Sequence, residues 1–159
     1  MVRRIAAFVV AVLIPEAVGA VAAVATQSSV TTWYPTLTKP WFTPPDAVFA
    51  PVWISLYAIM GIASWLVWTR GPRRATVQMA LTAYVVQLVL NGAWSILFFG
   101  LQSIGGGLIV ILLLLIALFV TLRRFRRCHR WAGWLLWPYL AWVAYATALN
   151  AALLWLNGW

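Results

Sequence analysis

Apolar positions fall into five long blocks, at about 5–26, 47–68, 77–99, 103–122 and 131–156. Each is close to the roughly 20 residues a helix needs to cross about 30 Å of hydrocarbon. The breaks between them have local causes. Pro35, Pro40, Pro44 and Pro45 stop any helix between the first and second blocks, because proline lacks the N–H that the helix ladder requires. Arg70-Gly71-Pro72-Arg73-Arg74 separates the second block from the third. Gly100 and the Gly105-Gly106-Gly107 triplet bracket a short turn before the fourth, which the run Arg123-Arg124-Phe125-Arg126-Arg127 closes. The pattern predicts an all-α membrane protein, a bundle of five transmembrane helices forming one domain over residues 1–159.

Polar residues within the blocks are few and recur at helical spacing. The second block places Phe49, Trp53, Tyr57, Met60 and Ser64 on one stripe. In the third, Gln87, Asn91, Trp94 and Phe98 stand at i, i+4, i+7 and i+11, and in the fifth Trp142, Ala146 and Asn150 stand at i, i+4 and i+8. Three helices thus each present rings, with amide or hydroxyl groups, on a single face. Such an interior suits a flat, largely apolar ligand. It suits equally well a set of amides and rings that fasten helices together, and spacing alone does not separate the two. Glu16 lies mid-span in the first block, with Gly19, Ala20, Ala23 and Gln27 on its stripe, and reads as a hydrogen-bonded fastener or a ligand-facing group. Ala80, Ala83 and Gly92 offer a small-residue face for close helix contact, which suggests a homodimer.

Composition narrows the classes of function. Hydrophobic residues make up 65% of the 159, and charged ones 8%, against about 25% in soluble domains. The mean hydropathy is +0.94. A net charge of +9 would suit nucleic acid in a soluble protein, but here the cations cluster between apolar blocks, so nucleic acid is excluded as a partner and the lipid bilayer is implied. Arg3 and Arg4, then Arg70, Arg73 and Arg74, then Arg123, Arg124, Arg126, Arg127 and Arg130 share one side, against Lys39 alone on the other. That bias predicts a plasma (inner) membrane protein with a cytoplasmic N-terminus and an external C-terminus. The first 25 residues also resemble a cleavable signal peptide, although Pro15 and Glu16 interrupt its apolar core. A single cysteine, Cys128, excludes an internal disulfide, and the spans hold no His, Cys or Asp pair for a metal or haem axial site. No nucleophile set, P-loop or dinucleotide fingerprint is present, so no catalytic residue and no required cofactor are identified.

Eleven of the twelve tryptophans sort by depth. Trp65, Trp68, Trp131, Trp134, Trp155 and Trp159 fall near span ends, as interfacial rings do, and Trp33 and Trp41 fall in the first loop. Trp53, Trp94 and Trp142 are deeper.

The loop sequence Trp33-Tyr34-Pro35-Thr36-Leu37-Thr38-Lys39-Pro40-Trp41-Phe42-Thr43-Pro44-Pro45 resembles the first-loop signature of the TspO/MBR family, the tryptophan-rich sensory and translocator proteins. The similarity continues through Phe49-Ala50-Pro51-Val52-Trp53, Leu90-Asn91, Trp94-Ser95, Trp137-Pro138-Tyr139 and Leu149-Asn150. The resemblance implies a five-helix bundle, commonly a homodimer, with a cavity beneath the first loop that binds porphyrins such as protoporphyrin IX. By matching position, the cavity residues would be Tyr34, Trp53, Tyr57, Gln87, Asn91, Trp94, Phe98, Trp142, Ala146 and Asn150. The expected function is a tetrapyrrole-binding sensor or regulator. The alternatives are a porphyrin-degrading, photo-oxidative enzyme with Trp53 and Trp142 as its reactive rings, and a transporter or scaffold for porphyrins or lipids. Gln87 stands where some members carry Asn. The stretch from Leu149 to Trp155 lacks the Tyr and basic residue of the sterol-recognition pattern found in mammalian members.

The charge bias gives a direct test of orientation. A Ser29→Cys variant with Cys128 replaced should react with an impermeant thiol reagent in intact cells; reaction only after lysis would reverse the topology.

Overall fold

The computed structural model describes residues 2–158; Trp159, assigned above to the interface, lies outside them. Its helices are α1 (Val2–Thr32), α2 (Asp46–Trp68), α3 (Ala75–Ser95), α4 (Ile104–Cys128), α5 (Arg130–Leu135) and α6 (Trp137–Asn157). Five helical stretches are long and apolar enough to cross a membrane, the fifth being α5 and α6 together. The described residues contain no strand. An all-α membrane bundle is therefore the architecture, as the five apolar blocks predict.

The broadest packing faces are α3 on α4, α1 on α2 and α4 on α6, while α5 bridges α4 and α2. Met60, Ala63 and Val67 of α2, Leu114 and Leu118 of α4, and Tyr139 and Val143 of α6 are fully buried. By contrast α1 buries only Pro15, Ala22 and Thr26, and it turns Val9, Val10, Leu13, Val21 and Val24 outward, a lipid-facing surface. Its inward line runs one residue away from the stripe expected around Glu16. Ala20, Ala23 and Gln27 are exposed and Glu16 is half-buried at the margin. Thr26 is tolerated at the interior position because its hydroxyl donates to the Ala22 carbonyl at 2.8 Å, within its own helix.

Several boundaries differ from the expected ones for identifiable reasons. The short turn expected between Gly100 and the glycine triplet is present, and the triplet itself opens α4. Ser103 caps α4, its Oγ accepting the Gly106 N–H at 3.2 Å, so the connection shrinks to 101–103. Gln102 makes that tight reversal with a φ of 53°. The arginine run 123–127 is also helical, with Arg126 and Arg127 in the last turn of α4, where cations suit the negative end of the helix dipole. The third span ends in a five-residue π turn, Ile96–Gly100, which brings Phe98 inward. The fifth span breaks at Leu136, where Pro138 enters the first turn of α6.

Small residues set how closely helices approach, but within the protomer. Of the small-residue face on α3, Ala80 is fully buried, Gly92 faces the Val18 side chain and Ala83 is half-buried. The tightest point is Gly61, where an added Cβ would stand 2.5 Å from the Val12 backbone. Gly61→Ala should therefore force α1 off α2 and cost about 1–3 kcal/mol, the scale of overpacking. Gly92→Ala, whose Cβ would meet Val18 at an ordinary 3.4 Å, should unfold close to the wild type. Thermal unfolding in detergent compares the two.

Candidate ligand-binding site

Three of the predicted stripes converge beneath the first loop. Their polar atoms form one chain across three helices. The Tyr57 hydroxyl of α2 donates to Asn91 Oδ1 at 2.7 Å, and Asn91 Nδ2 donates to the Tyr139 hydroxyl of α6 at 3.1 Å. Tyr139 in turn donates to Gln87 Oε1 at 2.9 Å, and Gln87 Nε2 points at Met60 Sδ, 3.7 Å away. Nearer the loop, Trp94 Nε1 donates to Asn150 Oδ1 at 3.2 Å, and Asn150 Nδ2 donates to the Ile104 carbonyl at 3.0 Å. Gly107 makes room for that second pair: a Cβ there would lie 3.1 Å from Asn150 Oδ1. Gln87, Asn91 and Asn150 are all buried and all partnered, as amides in hydrocarbon must be.

The rings lie against this chain. Trp53 is central, 5.5 Å from Tyr57 in a stacked pair, 6.0 Å from Trp94, 6.3 Å from Tyr139 and 6.5 Å from Trp142. Trp94 stacks on Phe98 at 5.9 Å, and Phe49 meets Trp142 edge-on at 5.9 Å. These spacings are those of paired aromatic rings, so the rings pack on one another. Among the described residues, four buried side-chain polar atoms have no hydrogen-bond partner, and of these Trp142 Nε1 is the one at this site; Trp65 Nε1, the Tyr84 hydroxyl and His129 Nδ1 lie elsewhere. A buried donor without a partner can take one from a ligand. Trp142 also forms a wall of a groove of about 450 Å³ between α2 and α6, together with Pro44, Val52, Leu56, Pro138, Ala141 and Tyr145.

The first loop is fastened over the rings at several points. Tyr34 is buried against Phe99 at 5.5 Å and Phe98 at 6.4 Å, and Lys39 Nζ sits 4.2 Å above the Tyr34 ring. Lys39 also pairs with Asp46 at 3.6 Å. Burial, reinforced by the Asp46 carboxylate, pushes the Tyr34 phenol up to about 12. Asn157 clasps Thr38 twice, accepting its N–H at 2.8 Å and donating to its carbonyl at 3.0 Å. The Tyr145 hydroxyl donates to the Phe42 carbonyl at 2.6 Å.

Nine of the ten residues expected at the site make the contacts described above. The tenth, Ala146, is buried on α6 between Trp142 and Asn150. Sequence reasoning left out Tyr139, the hub of the polar chain. It lies one turn before Trp142 and Val143, so extending the α6 stripe backwards would have found it. It also left out Asn157 and Tyr145, whose partners are loop backbone atoms that no periodicity reveals.

A five-helix membrane bundle with a ring-lined, amide-braced interior under a proline-rich lid defines a class of integral membrane protein. The comparisons specify the family. The model of the TspO/MBR family matches residues 11–156, and the chain belongs to that family. It is 40% identical over 156 residues to the tryptophan-rich protein TspO of Archaeoglobus fulgidus, covering 98% of both chains. It is 41% identical over 119 residues to the human translocator protein, covering 74% of this chain and 70% of that one. The tryptophan-rich sensory protein of Cereibacter sphaeroides is 36% identical over 125 residues, covering 79% of this chain and 77% of the relative.

Proposed function

We propose that this membrane protein is a tetrapyrrole-binding sensor or regulator whose ligand enters the ring-lined interior when the first loop lifts. The observation that carries the reading is Trp142 Nε1, a buried indole donor without a partner, standing beside Trp53 beneath a fastened lid. A porphyrin offers flat faces and carboxylate edges. Trp53 and Trp142 supply faces to stack on, and the free N–H of Trp142 supplies a donor. Lys39 at the loop is the cation nearest the Tyr34 ring, and it can pass from Asp46 to a ligand carboxylate. With the amides of Gln87, Asn91 and Asn150 already engaged with protein, binding rests on stacking and shape. Metal-free protoporphyrin should therefore bind about as well as haem, and no protein-bound cofactor is needed.

In this reading the bundle sits in the plasma (inner) membrane with a cytoplasmic N-terminus, and it pairs as a homodimer through lipid-facing surfaces such as the exposed side of α1. A porphyrin-degrading reaction is the second reading, favoured by the proximity of Trp53 and Trp142, two oxidisable indoles 6.5 Å apart at the same site.

Trp53→Ala and Trp142→Ala should each weaken protoporphyrin binding, measured by fluorescence quenching, by on the order of 1–3 kcal/mol, or about fivefold to a hundredfold. Trp155→Ala, at an outward-facing ring, should bind like the wild type. If all three variants bind like the wild type, the interior is helix packing alone. Light-dependent loss of porphyrin absorbance that vanishes in Trp53→Phe would select the enzyme.

A further inference from the structure

A second groove, of about 630 Å³, lies at the opposite, arginine-rich end of the bundle and is lined by Arg4, Ile5, Phe8 and Trp65. Its origin is geometric. α1 and α2 are antiparallel neighbours, and they touch backbone to backbone at Val12 and Gly61. One turn beyond that crossing, at i−4 on α1 and i+4 on α2, bulky rings replace the glycine contact. Phe8 meets Trp65 edge-on at 5.3 Å. One further turn along α1 stands Arg4. Large side chains beyond a close crossing prop the helices apart, and the space they open is floored by rings and headed by a guanidinium. Its volume is within the roughly 300–1,000 Å³ of ordinary ligand sites.

The charge at this groove has no protein counterpart. The chain has two acidic residues. Asp46 pairs with Lys39 beyond the far end of α2, and Glu16 lies twelve residues along α1 from Arg4, about 18 Å at the helical rise. Three other arginines at this end have side-chain contacts: Arg124 donates to the Met79 carbonyl at 3.0 Å, Arg126 lies over the Trp134 ring at 5.6 Å and Arg123 over the Phe119 ring at 5.0 Å. What sets Arg4 apart from the rest is its place at the head of the ring-floored groove. Arg4 has no ion pair among the described residues.

We propose that this groove is a binding site for an anionic phospholipid, its phosphate on Arg4 and an acyl chain against Ile5, Phe8 and Trp65. An apolar slot in a membrane-embedded surface is filled by lipid. The unpaired guanidinium at its head selects lipids with net negative charge over zwitterionic ones, whose phosphate is already neutralised by its own ammonium. This site is separate from the ring-lined interior and stands or falls independently of the ligand bound there.

Native mass spectrometry of the full-length protein, titrated with equimolar phosphatidylglycerol and phosphatidylcholine of identical chains, tests it. The wild type should retain phosphatidylglycerol preferentially by about fivefold, the factor one cation near an anionic group supplies. Arg4→Gln should bring the ratio close to one, Arg4→Lys should restore most of it, and Arg127→Gln should leave it unchanged. Phe8→Ala should reduce occupancy by both lipids while keeping their ratio. Glycerol 3-phosphate, the headgroup without chains, should not displace the bound lipid. No preference in the wild type, an unaltered ratio in Arg4→Gln, or displacement by glycerol 3-phosphate would overturn the site.

Discussion

An amide inside a hydrocarbon layer has no water to turn to, and the bundle is arranged around that constraint. Gln87 and Asn91 on α3 are satisfied only because Tyr57 reaches them from α2 and Tyr139 from α6. Hydrogen bonds near 3 Å leave little freedom in the spacing of those three helices. Apolar packing alone would leave more, since lipid competes equally for apolar contact. Tyr139 belongs to both systems: its hydroxyl closes the polar chain and its ring packs on Trp53. The positions of the stacking rings are thus inherited from the polar chain beneath them.

The same economy explains the lid. The first loop holds four prolines between Pro35 and Pro45, which limit its conformations before any contact forms. Its fastenings are polar and sit at the rim, with Asn157 on Thr38, Tyr145 on Phe42 and Lys39 on Asp46. Rim contacts of this kind exchange with water at small net cost. The interior chain has no such alternative. The loop is thus held by bonds that water can replace, and the interior by bonds that it cannot.

Much of this was legible in the sequence because hydrocarbon imposes simple rules. Five apolar blocks gave five spans, and helical spacing alone brought Trp53, Tyr57, Gln87, Asn91, Trp94, Trp142 and Asn150 to one interior. What spacing cannot decide is whether the amides face a ligand or the protein, and in this structure they are bonded to protein groups. Where local composition misleads, the cause is a partner that composition does not show. Arg123 to Arg127 resemble a loop until the helix dipole beneath them is considered. Of the small-residue face on α3, Ala80 is sealed inside the protomer and Gly92 meets Val18. Tyr139 stands inside a motif, and only one more turn of the α6 stripe places it in the interior.

The central claim is that the polar chain through Tyr139 holds α2, α3 and α6 in register and so builds the floor of the site. Tyr139→Phe tests it most directly, because it removes one oxygen while keeping the ring. It strands an Asn91 donor and the Gln87 acceptor in a fully buried place. Thermal unfolding in detergent should show a loss of about 1–3 kcal/mol, the cost of leaving such groups unpaired. A Tyr139→Phe protein as stable as the wild type would mean that ring packing alone positions the helices.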